Sequence, residues 1–315
     1  MNLKQLRYVV EIVRNANHLS AAAEALNTSQ PGVSRQIQLL EAELGFDIFV
    51  RVNNRFTGLT EGGEHVFAIA QRALAEVNAL RALKEDMGAG GTGNLIVATT
   101  HTQARYFLPP IIEGFIERHP NVRVTLKQGD PSSACELVAA GEADLALAAE
   151  PVRVFPHLVC LPCMEMRRSV IARAGHPVLD VPELTLAEIA RHPIVTYDRR
   201  YSGHWIVMKA FGAEGLEPRI MLSAADADVC KAYVESGLGI AILSSLTYDV
   251  RRDPELRMRD ASHLFPSSVV NISLRANTQV RPIILDFIRA VAPHLTPRVV
   301  GEAMLAASFS AARSG

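Results

Sequence analysis

The sequence predicts a multidomain protein of mixed α+β and α/β class. Its parts are an N-terminal winged helix-turn-helix, a long linker helix and a C-terminal domain of two α/β lobes. Three observations predict this class. Two short helical patterns joined by a turn lie within residues 20–41, one long helical pattern follows within 61–87, and strand and helix patterns alternate twice after residue 94. The expected domains are 1–60, 61–92 and 93–315, with lobe I at about 93–163 and 266–296 and lobe II at about 164–265.

The first three helices are predicted from apolar spacing and capping residues. Residues 3–13 carry apolar side chains at helical intervals. Ser20 is expected to cap the second helix and Ser29 the third. Pro31 lies in the first turn of the third helix, where its missing N–H costs no hydrogen bond.

The third helix has one apolar face and one polar face. Val33, Ile37 and Leu40 recur at the spacing of a packed face. On the other face, Gln, Ser and Arg side chains can bond base edges or phosphates, and this face has no Asp or Glu. Its candidate DNA-binding residues are Ser29, Gln30, Pro31, Ser34, Arg35 and Gln38. The alternative is an ordinary polar surface helix.

A β-hairpin, or wing, is predicted after this helix. Residues 46–50 indicate a strand, 51–55 a basic turn, and 56–59 the returning strand. Arg51 and Arg55 are therefore expected to reach a phosphate or the minor groove. Two solvated surface arginines are the alternative.

Thr60 is expected to cap the long linker helix over residues 61–87. A near-heptad apolar stripe runs along this helix: Val66, Ile69, Ala70, Ala73, Val77 and Leu80. We interpret the stripe as a dimer seam, with packing against its own domain as the alternative. The glycine-rich residues 88–93 predict a flexible hinge.

Composition narrows the function classes. The net charge is −1, so DNA binding would have to rest on local arginines. There is no signal-peptide pattern and no apolar run long enough to span a membrane, which predicts a cytoplasmic protein. No G-x-S-x-G, P-loop or H-E-x-x-H pattern is present, which argues against an enzyme. A transporter's solute-binding protein is a further alternative, disfavoured by the N-terminal module.

Four cysteines do not suggest a disulfide scaffold. Cys160 and Cys163 form a C-x-x-C without a second pair at zinc spacing, so no metal is expected and buried or half-buried thiols are the preferred interpretation.

A ligand cleft is expected between the two lobes, at the carboxyl ends of their strands. Thr100, Thr102 and Gln103 follow the first strand and open a helix. Hydroxyls, an amide and free backbone N–H groups suit a carboxylate, sulfate or phosphate. Helix capping alone would use the same groups.

The chain resembles the LysR-type bacterial transcriptional regulators along essentially its full length. The resemblance lies in AAEAL at 22–26, TSQPGVSRQI at 28–37, and the motifs within 40–45 and 59–63. It implies an effector domain like that of periplasmic binding proteins and a homotetramer, a dimer of dimers, that bends promoter DNA. The expected partners are double-stranded promoter DNA, a small anionic effector and RNA polymerase, with no cofactor.

Within that family the effector domain looks most like the CysB type, the regulators of sulfur assimilation. ATTHTQARY at 98–106 and ADADV at 225–229 carry this likeness. It implies an inducer such as N-acetylserine, O-acetylserine, sulfate or thiosulfate. The candidate effector-binding residues are Thr100, Thr102, Gln103, Glu150, Met166, Tyr197 and Ser202.

Three positions depart from the CysB type. Ala149 and Ser202 stand where a threonine is expected, and Met166 stands where an aromatic residue is expected. Arg199 and Arg200 add charge near the expected pocket mouth, which would favour a more acidic ligand.

Overall fold

The computed structural model describes residues 1–53, 55–86, 93–276 and 278–312. They fall into two compact units, one of residues 1–86 with 139–142 and one of residues 93–138 with 143–312. The predicted hinge lies outside the described residues except for Gly93. None of the described helices is long and apolar enough to cross a membrane.

The N-terminal unit contains four helices and one hairpin. In chain order they are α1 (Leu3–Arg14), α2 (Leu19–Ala25), α3 (Gln30–Leu44), β1 (Phe49–Val52), β2 (Arg55–Leu59) and α4 (Glu61–Asp86). Ser29 caps α3 as predicted, and Gly45 ends it in the left-handed conformation at φ 81°. The expectation for Ser20 is wrong, because α2 begins at Leu19 with His18 at the cap position and without a side-chain cap bond.

The apolar face of α3 packs into the core of this unit. Val33, Ile37 and Leu40 are fully buried, together with Val9 and Ile12 of α1. Because these three side chains fix the rotation of α3, its opposite face is turned toward solvent.

The wing exists, but its strands are displaced from the predicted positions. β1 begins at Phe49 rather than at residue 46, and β1 and β2 pair antiparallel from Phe49 opposite Leu59 to Val52 opposite Arg55. The buried carboxylate of Glu41 accepts hydrogen bonds from the N–H groups of Ile48 (2.8 Å) and Phe49 (3.3 Å). This side chain holds the start of the wing against α3 and shifts the strand toward the C-terminus.

The first turn of α4 lies in backbone contact with the wing. Thr60 Oγ1 accepts from Gly63 N at 2.9 Å, as expected of a cap, and Thr60 N donates to Ile48 O at 2.9 Å. A Cβ at Gly63 would lie 1.9 Å from Ile48 O. Only glycine allows this approach.

The apolar stripe of α4 divides between two environments. Ala70 is buried against Leu6 and Val10 of α1, so part of the stripe packs on its own domain. Ile69 and Leu80 are 55% and 67% exposed. A dimer seam through these exposed positions stays a prediction.

The C-terminal unit carries the remaining ten strands and seven helices of the described chain. They are β3 (Asn94–Thr99), α5 (Leu108–Arg118), β4 (Arg123–Gln128), α6 (Pro131–Ala139), β5 (Leu145–Ala149), β6 (Leu158–Met166), β7 (Arg168–Arg173), α7 (Leu186–Ala190), β8 (Ile194–Tyr197), α8 (Ser202–Ala213), β9 (Ile220–Ala224), α9 (Ala227–Glu235), β10 (Ile240–Ser244), β11 (Leu256–Asp260), β12 (Ser268–Arg275), α10 (Pro282–Val291) and α11 (Pro297–Ala312). A π-helix, Gln103–Phe107, precedes α5.

These elements form two lobes, each around a five-stranded sheet. Lobe I has the strand order β4-β3-β5-β12-β6, and lobe II has β11-β7-β10-β8-β9. In each sheet the three strands of the α/β pattern run parallel. The chain passes between the lobes at residue 167 and again within 261–267, a few residues from the predicted lobe boundaries. Each sheet has its own apolar core.

Candidate functional site

The solvent-facing side of α3 is polar and free of acidic groups over residues 30–38, whereas Leu39 and Glu43 are exposed farther along the helix. Gln30, Arg35 and Gln38 are exposed, and Ser34 is half-buried. Ser29 Oγ accepts from Gly32 N at 3.3 Å, and Gln30 Oε1 accepts from Ser20 Oγ at 3.0 Å. No ion pair holds the Arg35 side chain within the described part of the chain. The predicted residues, with exposed Pro31, therefore lie together at the N-terminal half of a helix that a major groove can accept.

The two wing arginines differ in their surroundings. The Arg51 guanidinium pairs with Glu41 and Asp47 (3.2 Å to the latter) and lies 5.3 Å from the ring centroid of Phe56. Arg55 is exposed, and the described residues offer it no ion pair. The geometry therefore favours Arg55 over Arg51 for a phosphate contact, because Arg51 already braces the wing.

A cavity lies between the lobes of the C-terminal unit, with about 380 Å³ of empty space including its open mouth. It opens where β3, β5, β8 and β10 end and where the π-helix, α6 and α8 begin. The lining residues are Thr100, Thr102, Gln103, Pro131, Ala149, Met166, Arg168, Tyr197, Tyr201, Ser202, Gly203 and Ser244.

Six of the seven sequence-predicted effector residues line this cavity; the exception is Glu150. Glu150 is exposed and follows the last residue of β5, Ala149, which takes the lining position instead. Glu150 lies beyond the end of β5, so the strand no longer holds its side chain at the cavity.

Hydrogen bonds order the lobe I side of the cavity. Thr100 Oγ1 donates to Gln103 Oε1, and Gln103 Nε2 lies 3.2 Å from Met166 Sδ. Burial raises the pKa of Tyr197, so its phenol stays protonated at neutral pH and can donate to a ligand.

The charge at the cavity comes from a residue that sequence reasoning missed. Arg200 is held by Asp198, with Nη2 to Oδ2 at 2.6 Å, and neither Arg199 nor Arg200 lines the cavity. Arg168, at the start of β7, lines it instead and is 2% exposed. The only signal in the sequence was an arginine at the entry of a strand, Arg168–Arg173, whose middle residues 170–172 are apolar.

The thiols of the C-x-x-C motif lie on β6. Cys163 is half-buried as expected, but the expectation is wrong for Cys160, which is exposed; both thiols are free. Burial raises the pKa of the Cys163 thiol to about 11, which keeps it protonated and unreactive at neutral pH.

Polar contacts connect the two lobes beside the cavity. They join His101 and Tyr106 of lobe I to Asp228 of lobe II. His101 Nε2 lies 2.7 Å from Asp228 Oδ2, and the Tyr106 hydroxyl donates to Oδ1. Burial alone would raise the pKa of Asp228, but the bonds from Tyr106 and His101 and the charge of Lys231 outweigh it and lower that pKa. Asp226 completes a trio of possible metal ligands with His101 and Asp228, although its carboxylate already caps α9.

We expect Asp228→Asn to lower the free energy of unfolding by about 1 kcal/mol at pH 7, a small value because Asp228 is partly exposed. A lowered folded-state pKa means that the carboxylate stabilises the fold above its unfolded pKa of about 4 and loses this effect as pH falls through the folded value. Urea unfolding at pH 7, 5 and 3.5 should therefore show a difference that shrinks only in the most acidic buffer. Asp286→Asn, at a more exposed carboxylate, is the control. A difference that is constant with pH would contradict the prediction.

An exposed polar helix in a winged helix-turn-helix and a two-lobed ligand cavity define a DNA-binding regulator that responds to a small molecule. Residues 3–64 match the family described as bacterial regulatory helix-turn-helix protein, lysR family. Residues 88–296 match the LysR substrate binding domain. The chain therefore belongs to the LysR family of bacterial transcriptional regulators, which confirms the sequence-based resemblance and the expectation that it is not an enzyme.

The most similar relatives include two regulators of Burkholderia cenocepacia. The HTH-type transcriptional regulator SsuR is 42% identical and the match covers 94% of this chain and 96% of the relative. The HTH-type transcriptional regulator CysB is 40% identical, with 96% and 97% covered. Among solved structures, the cofactor-binding domain of the Cbl transcriptional regulator is 34% identical, with a TM-score of 0.66 over 69% of this chain and 96% of that one.

Proposed function

We propose that this LysR regulator controls sulfur-assimilation genes in response to a small anion bound between its lobes. DNA contact is assigned to Ser29, Gln30, Pro31, Ser34, Arg35 and Gln38 of the α3 region, with Arg55 and, secondarily, Arg51 on the wing. The inducer is an acetylated serine, sulfate or thiosulfate, or a close relative of these.

The observation that carries the proposal is the convergence of both lobes on one cavity. Thr100, Thr102 and Gln103 come from lobe I, and Tyr197 and Ser202 from lobe II. A ligand that contacts both lobes binds one inter-lobe arrangement better than another, which is the requirement for a population shift. The relatives named SsuR, CysB and Cbl, and the likeness to the CysB type, support sulfur metabolism as the pathway.

The assembly proposed is a homotetramer, a dimer of dimers, acting in the cytoplasm with RNA polymerase as a partner. Exposed Ile69 and Leu80 on α4 support a seam between subunits. No cofactor is needed, since the effector itself supplies the signal.

A second candidate is a LysR regulator of another pathway that senses a different small carboxylate or oxyanion. Ala149 and Met166 favour it, because both line the cavity and both depart from the CysB type. One hydroxyl and one aromatic ring are thereby replaced by a methyl group and a flexible thioether.

Footprinting at fixed salt tests the function. The DNA would come from upstream of sulfur-uptake genes, sulfonate genes and the regulator's own gene, with and without N-acetylserine, O-acetylserine, sulfate and thiosulfate. A footprint that shortens or shifts with one of these ligands supports the sulfur proposal. A footprint that ignores all of them would leave the DNA-binding role and remove the sulfur assignment in favour of the second candidate.

Thr100→Ala and Thr102→Ala are expected to weaken inducer binding by roughly 5-fold to 10-fold, the effect of one lost hydrogen bond of about 1 kcal/mol or slightly more. Basal DNA binding should not change, because α3 is untouched. Calorimetry on the full chain measures ligand affinity, with Thr125→Ala on β4, outside the cavity, as the control. Unchanged affinity in both cavity variants would place the effector elsewhere.

A further inference from the structure

Arg168 is a buried cation at the junction of the two lobes. It is the first residue of β7 and is 2% exposed. Residue 167 before it is the first crossing from lobe I to lobe II. Burying a guanidinium this deeply is costly unless a counter-charge or a full set of hydrogen bonds accompanies it.

The protein supplies only part of that compensation. Arg168 Nη2 donates to Ser268 Oγ on β12. Its Nε is buried and has no hydrogen-bond partner. The described residues give Arg168 no salt bridge, and the twelve residues that line the cavity include no Asp or Glu. Burial lowers the pKa of Arg168, because the charged guanidinium loses its hydration and gains no counter-charge in return.

The N-terminus of α8 approaches this guanidinium closely. A Cβ at Gly203 would lie 3.3 Å from Arg168 Nη2 and 3.2 Å from the Tyr197 ring, so glycine allows the close approach. Ser202 and Gly203 of the first turn of α8 line the same cavity, and this helix start has no side-chain cap bond and carries the positive end of the helix dipole. A buried planar cation without a counter-charge among the described residues, next to a helix N-terminus, suits an oxyanion.

We propose that Arg168 is the counter-ion of the effector, so that the ligand of this cavity carries a formal negative charge that it places against Arg168 and the start of α8. The inference rests on the proposed function and refines it. The ligand class is a small acid with a carboxylate, sulfate or sulfonate group, which the planar guanidinium can bind through two parallel hydrogen bonds. Neutral analogues of the same shape are excluded.

The position of Arg168 also explains how the charge of the ligand is coupled to the arrangement of the two lobes. Arg168 belongs to lobe II, whereas its partner Ser268 belongs to lobe I. An anion at Arg168 therefore binds beside the pivot between the lobes. Thr100 and Gln103 of lobe I remain to contact the rest of the ligand.

The test is calorimetry on the full chain with sulfate, thiosulfate, acetate, N-acetylserine and N-acetylserine amide. The variants are Arg168→Gln, Arg168→Lys and the control Arg173→Gln, at the other end of β7 and outside the cavity. We expect the wild type to prefer N-acetylserine over its neutral amide. Arg168→Gln should lose roughly 10-fold to 150-fold in affinity for the acid and lose that preference, as for a hydrogen bond to a charged group.

Arg168→Lys keeps the positive charge but lacks the planar pair of N–H donors, so it should bind the acid with intermediate affinity. This variant keeps the proposal testable if the Arg168→Gln chain fails to fold. Equal affinity for the acid and the amide in the wild type, or an unchanged acid affinity in folded Arg168→Gln, would overturn the proposal. So would a wild type that binds none of the anions. If Arg168-dependent anion binding is present but no ligand alters the promoter footprint, the sulfur function fails while the Arg168 assignment stands.

Discussion

Replacement of Arg35 by alanine is expected to abolish sequence-specific binding to promoter DNA. Arg35 is exposed on the polar side of α3, and the described residues hold it in no ion pair. A side chain that bonds a base edge contributes about 1–3 kcal/mol of discrimination. Losing it from both half-sites of a dimer would remove roughly 2–6 kcal/mol. Electrophoretic mobility shift and footprinting at fixed salt measure the loss.

Ligand affinity and assembly should be unchanged in Arg35→Ala, because the cavity and the exposed face of α4 are not altered. Arg191→Ala removes the same charge from a side chain that is 75% exposed in the other unit, and it should bind DNA as the wild type does. An Arg35→Ala protein that still protects the same bases would remove Arg35 from the recognition surface and direct attention to Gln30 and Gln38.

Among substitutions that add one methyl group in the N-terminal unit, we expect Gly63→Ala to lower the free energy of unfolding the most. Its Cβ would lie 1.9 Å from the carbonyl oxygen of Ile48, and backbone atoms cannot yield as a flexible side chain can. Either α4 or the wing must move, at a cost of about 3 kcal/mol or more, the upper end of overpacking effects. Urea unfolding of the full chain measures the cost, and DNA binding should weaken with it because Thr60 and Ile48 position the wing.

Gly114→Ala is the matched control, because Gly114 lies within α5 and a Cβ there would meet nothing within 4 Å. That variant should gain roughly 0.5–1 kcal/mol from higher helix propensity. Equal stability of the two variants would show that the contact between α4 and Ile48 relaxes without cost.

The helix α3 was predictable because its signals are local. Ser29 caps α3, Pro31 enters its first turn, and Gly45 ends it, each as chain-local rules require. The cavity residues on Thr100–Gln103 were found for a similar reason, since they follow a strand and open a helix.

The parts that escaped prediction depend on contacts between distant residues. The wing starts later than expected because Glu41, seven residues before Ile48, bonds the backbone there. Arg168 was overlooked because an arginine at the entry of a strand does not by itself identify a cavity residue. Its partner, Ser268, lies one hundred residues away. Conversely, Arg200 was predicted to lie near the pocket mouth because of its charge, but this charge is paired with Asp198.

Lobe I cannot complete its sheet until the ribosome has passed residue 275, because β12 is the strand that joins β5 to β6. Lobe II draws its five strands from the continuous stretch 168–260 and can close while β12 is still being made. During that interval β5 and β6 have unpaired edges, which are templates for association with other chains. The half-made lobe I is therefore the part of the nascent chain with the greatest need of chaperone protection.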